Sequence, residues 1–224
     1  DLYLIDSNDS NVIWKSESQN IPLRTKGASK PLYLNNTVFI ARDNGSISSY
    51  SASDGTLNWF TIISSRSGRN DLESQRDAEM QISIDNGKLY YGHFQGDLTA
   101  LDSNTGNIVW TSPFSFINNI IINDNSIYGS TSDKEIVSID QASGFLNWRS
   151  KISSEQFTQP FIIEDLVMAF TTQGTLVAFK KDGTNVYEEK FDLNLHPQTK
   201  FILDGNKLYF QTLDGDIVHF VITL

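Results

Sequence analysis

Apolar residues in this chain come in short runs separated by clusters of Asn, Asp, Gly and Ser, and no segment sustains helical periodicity. Runs such as Leu98-Thr-Ala-Leu101 alternate with a period of two, which predicts a strand with one buried and one exposed face. Many runs are paired across a polar turn. Asn35-Asn36 divides Pro31–Arg42, Asn86-Gly87 divides Met80–His93, and Asp124-Asn125 divides Ile117–Thr131. Glu164-Asp165 divides Pro160–Thr171, and Gly205-Asn206 divides Phe201–Thr212. Asn, Asp and Gly tolerate left-handed backbone, so such pairs between β-rich runs predict hairpins.

A second hairpin follows each of these, and it repeats. Asp1–Lys15, Gly45–Phe60, Gly96–Thr111 and Lys134–Arg149 align without gaps. Gly174–Glu188 is one residue shorter, and Gly215–Leu224 contains only the first arm. All four tryptophans, Trp14, Trp59, Trp110 and Trp148, fill one slot of this repeat, and Tyr187 fills the fifth, at intervals of 45, 51, 38 and 39 residues. Each aromatic lies four residues after a turn position: Ser10, Gly55, Gly106, Gly144 or Gly183. The polar residue of the turn can cap its amides, the glycine supplies positive φ, and the ring can pack on a neighbouring sheet.

One repeat is therefore four short antiparallel strands over roughly 40 to 45 residues, the spacing of a propeller blade. The predicted fold is all-β: a β-propeller of four-stranded antiparallel blades. A single domain is expected over residues 1–224, with about five blades, four of them complete and partial blades at both ends. The chain opens and closes on the third strand of a blade, so both ends offer the same strand for one slot. Two readings compete: the ends combine into a fifth blade, or, as preferred, the chain is the C-terminal part of a larger propeller with earlier blades lying upstream.

Composition narrows the function. The net charge of −10 and pI near 4.6 argue against a nucleic-acid partner, which needs a basic patch. No apolar run is long enough to span a membrane as a helix. The chain has no cysteine, which excludes disulfides, thiolate metal sites and cysteine nucleophiles.

The motif [LIV]-x-[AS]-[LIY]-D-x-x-[ST]-G-x-x-x-W resembles the quinoprotein-type propeller repeat, found in quinone-dependent dehydrogenases and in non-enzymatic relatives. Three stretches resemble one such family more closely: BamB, the lipoprotein of the outer-membrane β-barrel assembly machinery. Leu23-RTKGASKP-Leu32 is similar to its L-x-[LV]-[RK]-G-x-S-x-P loop. Ser67–Ser83 resembles its long loop ending in D-x-D or D-x-E, and accounts for the 51-residue interval. Gln95–Trp110 with Phe116–Gly129 resembles a characteristic blade. The likeness covers nearly the whole chain.

That resemblance implies an eight-bladed periplasmic scaffold, held to the outer membrane by an N-terminal lipid on a cysteine that this sequence does not contain. It implies binding to POTRA domains of the barrel subunit BamA, no enzyme activity and no cofactor. The contact, carried over, falls on Leu23, Thr25, Lys26, Asp77 and Glu79. Thr25 stands where the family has an apolar residue, Lys26 where Arg is usual, and Glu79 where Asp is commoner. Lysine lacks the bidentate fork of arginine, so the charge is kept but the geometry altered.

The residues support a contact in their own right. Ile21 and Leu23 beside Arg24 and Lys26 suit an apolar anchor with a charged rim. Asp71, Glu73, Asp77 and Glu79 gather against one cation, Arg76; alone, such a segment reads as a solvated acidic loop. Asp6, Asp54, Asp102, Asp140 and Asp182 occupy equivalent turns and read as caps rather than metal ligands. His93, His196 and His219 show no ligand spacing. The competing functions are a quinone-dependent dehydrogenase, which needs a Ca²⁺ site and a shaped pocket, and a peptide-binding propeller with another partner. Unfolded outer-membrane protein chains, added at an exposed strand edge, form a further partner class.

Overall fold

The computed structural model describes residues 2–16, 29–42, 45–63, 80–92, 96–152 and 154–223. The chain divides into two compact units, Asp1–Thr111 and Ser112–Leu224. Every element among the described residues is a β-strand.

The first unit opens with a two-stranded sheet, β1 (Leu2–Ile5) and β2 (Val12–Ser16). A four-stranded antiparallel meander follows: β3 (Leu32–Leu34), β4 (Thr37–Ala41), β5 (Ser46–Ser51) and β6 (Leu57–Ile62). The next sheet comprises β7 (Ser83–Asp85), β8 (Lys88–Tyr91), β9 (Leu98–Asp102) and β10 (Ile108–Ser112). The second unit repeats the plan with β11 (Ile121–Asn123), β12 (Ser126–Ser130), β13 (Ile136–Asp140) and β14 (Leu146–Ser150). Another meander contains β15 (Phe161–Ile163), β16 (Leu166–Phe170), β17 (Thr175–Lys180) and β18 (Asn185–Lys190). Three strands complete it: β19 (Ile202–Asp204), β20 (Lys207–Gln211) and β21 (Ile217–Val221). The described residues thus hold four complete four-stranded sheets and two partial ones, as the repeat predicts.

The turns follow their sequences. Asn35 and Asn36 have φ of 48° and 60°, and Asp124 and Asn125 have 47° and 61°. Positive φ at both central residues matches the right-handed twist of the strands they join.

One expectation needs correction. The alternation in β9 predicts an exposed face, yet Leu98, Thr99, Ala100 and Leu101 are all 0–1% exposed. The reason is visible in β17. Leu176 and Ala178 join a core with Phe161, Phe170, Leu208 and Phe210. Val177 and Phe179, on the opposite face, join a core with Ile136, Phe157 and Ala169. Alternation here partitions side chains between two cores rather than between core and water, as in a sheet covered on both faces.

The small third position of the repeat has a packing cause. Ser49 sits opposite both Phe39 on β4 and Trp59 on β6, and Ser138 opposite both Tyr128 and Trp148. The flanking rings meet across it, with centroids 6.0 Å apart for Phe39–Trp59 and 6.1 Å for Tyr128–Trp148. A larger residue would separate them. The ladder slips just beyond, between Ser49 and Tyr50 and between Ser138 and Ile139. The extra residues, Asn58 and Asn147, turn their amides back to Ser49 Oγ (3.2 Å) and Ser138 Oγ (3.3 Å).

Candidate partner-binding surface

The repeat aromatics serve contacts between sheets. Trp14 donates from Nε1 to the Ala52 carbonyl at 2.9 Å, Trp59 to Ser103 at 3.0 Å, and Trp148 to Lys181 at 2.8 Å. Each acceptor lies in the turn of the next repeat. The rings cover the glycines of those turns: Gly55 under Trp14, Gly106 under Trp59 and Gly183 under Trp148. Trp110 packs on Tyr90 of its own sheet, with centroids 5.8 Å apart. Tyr187 occupies the fifth slot but is 41% exposed, and its hydroxyl donates to Glu189. Four of the five rings are therefore engaged in packing.

The repeated aspartates cap their turns. Asp102 Oδ1 accepts from the amides of Asn104 (3.0 Å) and Thr105 (2.8 Å). Asp6 accepts from Asn8, Asp54 from Thr56, Asp140 from Ser143 and Asp182 from Thr184. The backbone hydrogen bond is the leading cause that holds the Asp54, Asp102 and Asp182 carboxyls below the usual carboxylate range. Among the described residues, no three His, Asp or Glu side chains gather in a group that could hold a metal ion. His196 accepts at Nδ1 from the Gln198 amide at 3.1 Å, inside a local turn. His219 stacks on Tyr209 with centroids 4.7 Å apart. His93 lies outside the described residues.

The five predicted partner-contact residues, Leu23, Thr25, Lys26, Asp77 and Glu79, also lie outside the described residues. Their points of attachment are defined. Residues 17–28 return to the sheet at Ser29, which is 5% exposed. Ser29 donates its amide to the Ala41 carbonyl at 2.9 Å and accepts at Oγ from the Ala41 amide at 3.1 Å. Residues 64–79 leave from Ile63, whose amide donates to Gly45 at 2.9 Å, and return at Met80, which is 5% exposed. Ala41 ends β4 and Gly45 precedes β5. The first segment thus returns, and the second departs, beside a single strand connection, Arg42–Gly45.

Arg42, half-buried in that connection, donates from Nη1 to Ser48 Oγ at 2.6 Å and from Nη2 to Tyr50 Oη at 2.9 Å. Its guanidinium carbon lies 5.8 Å from the Tyr50 ring centroid. Burial pushes the Tyr50 phenol up, but hydrogen bonds from Ser16 and Arg42, the Arg42 charge and a bond with Ser48 outweigh it. The net position is below the ordinary tyrosine value.

Sequence reasoning passed over Arg42, which belongs to no motif. It also passed over Lys181, whose Nζ bridges Asp124 (2.5 Å) and Asp165 (2.7 Å) from two hairpin turns. The only linear signal for the bridge is an acidic residue in each of those turns.

A family model described as outer membrane protein assembly factor BamB matches residues 1–148 and 131–223. This chain belongs to the BamB family. BamB of Moranella endobia is 24% identical over 218 residues, covering 96% of this chain and 56% of the relative. BamB of Escherichia coli K12 is 25% identical over 197 residues, covering 87% and 50% respectively. The crystal structure of BamB from Moraxella catarrhalis superposes with a TM-score of 0.81 at 21% identity, covering 97% of this chain and 65% of that one. That likeness shows the fold: the sheets are blades of a β-propeller. The chain spans about half the length of the curated relatives it matches.

Proposed function

We propose that this chain is a non-enzymatic scaffold of the outer-membrane β-barrel assembly complex, binding POTRA domains of BamA and aiding insertion of barrel proteins. The family match carries this reading, since it runs over nearly the full chain and the relatives bear the name of assembly factors. Leu23, Thr25, Lys26, Asp77 and Glu79 form the contact in this proposal. The two segments that hold them attach beside one strand connection, through Ser29–Ala41 and Ile63–Gly45, which supports a joint surface. One propeller domain at the periplasmic face of the outer membrane, lipid-anchored in the full protein, completes the proposal.

Unfolded outer-membrane chains are the second partner class. β18 is last in its sheet and exposed along its whole length, so it offers a strand edge for pairing.

Titration calorimetry with purified BamA POTRA domains tests the main reading. Saturable binding is expected. Reversing the charges of Asp77 and Glu79 together should weaken it by about 2–5 kcal/mol if they are buried against cations. No binding by the wild-type chain would overturn the assignment, and unchanged affinity in the reversed variant would overturn the assigned contact.

A further inference from the structure

Among the described residues, Arg42 is a cation without a counter-ion. None of the ion pairs among the described residues involves it, although the chain as a whole carries a net charge of −10. Arg42 is half-buried, so its guanidinium gives up part of its hydration, and an opposite charge would recover it. Here its protein partners are two hydroxyls, Ser48 and Tyr50, both of which accept from it. The Ser48–Tyr50 bond uses one hydroxyl hydrogen, which leaves the other hydroxyl hydrogen, the guanidinium Nε–H and a second hydrogen on each Nη. The spot is therefore rich in donors. Ser48 is 0% exposed and Tyr50 7% exposed. Tyr50 belongs to the core with Leu2, Val38, Ile40 and Ala52, so the hydroxyl frame is fixed by packing. Ser16, at the end of β2, adds its hydroxyl bond to the same phenol oxygen.

We infer that Arg42, framed by Ser48 and Tyr50, is a carboxylate-binding site that receives an aspartate or glutamate side chain from a protein partner. A planar carboxylate matches the flat guanidinium fork, and a charge-assisted pair there supplies the missing negative charge. The position favours a polypeptide occupant. Arg42 lies in the connection beside which residues 17–28 return and residues 64–79 depart. This goes beyond the POTRA reading, because it concerns a carboxylate acceptor whatever protein carries the acid.

Fluorescence anisotropy with a labelled peptide of alternating Glu and Gly, and a matched Gln–Gly peptide, tests the site on the full chain. The Glu peptide should bind saturably and the Gln peptide should not. Arg42→Gln should weaken Glu-peptide binding about tenfold or more, and Arg42→Lys less, since it keeps charge but loses the fork. Tyr50→Phe and Ser48→Ala keep the ring and the backbone, and each should weaken binding severalfold even if Arg42→Gln folds poorly. No saturable binding by the wild-type chain, or equal affinity in the Arg42→Gln and Tyr50→Phe variants, would overturn the inference. Failure of POTRA binding would leave these outcomes untouched.

Discussion

Trp59 lies on Gly106. A Cβ added to Gly106 would fall 2.5 Å from Trp59 Cδ2, while Trp59 Nε1 donates to Ser103 of the same turn at 3.0 Å. The glycine meets two demands at once: a φ of 73° and a flat surface for the indole.

Gly106→Ala should therefore cost about 2–4 kcal/mol, the sum of a left-handed backbone term and overpacking against the ring. Gly87 is the control. Its φ is 72°, but nothing lies within 4 Å of its added Cβ. Gly87→Ala should cost only about 1–2 kcal/mol. Urea midpoints of the two variants measure the difference, and equal losses would show that the indole contact contributes nothing.

Acid stability should follow the turn caps. Asp54, Asp102 and Asp182 have folded-state carboxyls held below their ordinary value by backbone hydrogen bonds. Their contribution is fully present above the unfolded-state value of about 4 and is lost as pH falls through the lower folded-state values. Melting temperatures taken downward from pH 6 should fall below about pH 4, and only modestly, because solvent screens these surface caps. Replacing all three with Asn should flatten that acid limb.

The Lys181 bridge should be weak and salt-sensitive. Its partners Asp124 and Asp165 have side chains 63% and 87% exposed, so water and ions screen the attraction. Lys181→Met should lower the urea midpoint slightly at low salt. At high salt the difference from wild type should disappear.

Asn118 ties three segments together. Its side-chain amide donates to the Phe157 carbonyl at 3.4 Å and the Pro197 carbonyl at 3.2 Å, while its own Oδ1 is buried without a partner. Asn118→Asp would set a carboxylate against two carbonyl oxygens and should cost about 3 kcal/mol at neutral pH. Part of that loss should return at pH 4, where a protonated carboxyl can donate again. A loss that does not depend on pH would mean the site has rearranged.

The linear pattern determined the strands, the hairpin turns and the phase of the blades. These depend on neighbours close in sequence: Asn35-Asn36 needs only its own two strands, and Asp102 caps amides two and three residues away. The same pattern led to a wrong exposure for Thr99, because period-two alternation cannot say whether its second face meets water or another sheet. The partner-contact residues Leu23 to Glu79 were legible only through likeness to a family, since their residue types alone also suit a solvated loop. Tertiary structure decided which turn each tryptophan covers, with Trp59 and Ser103 separated by 44 positions. It also decided that Lys181 reaches Asp124 across 57 positions, and that Arg42 meets the Ser48 and Tyr50 hydroxyls. The physical reason is the same throughout. Backbone conformation is set by local sterics, whereas burial, docking and charge balance are set by residues that only the packing of one sheet on the next brings together.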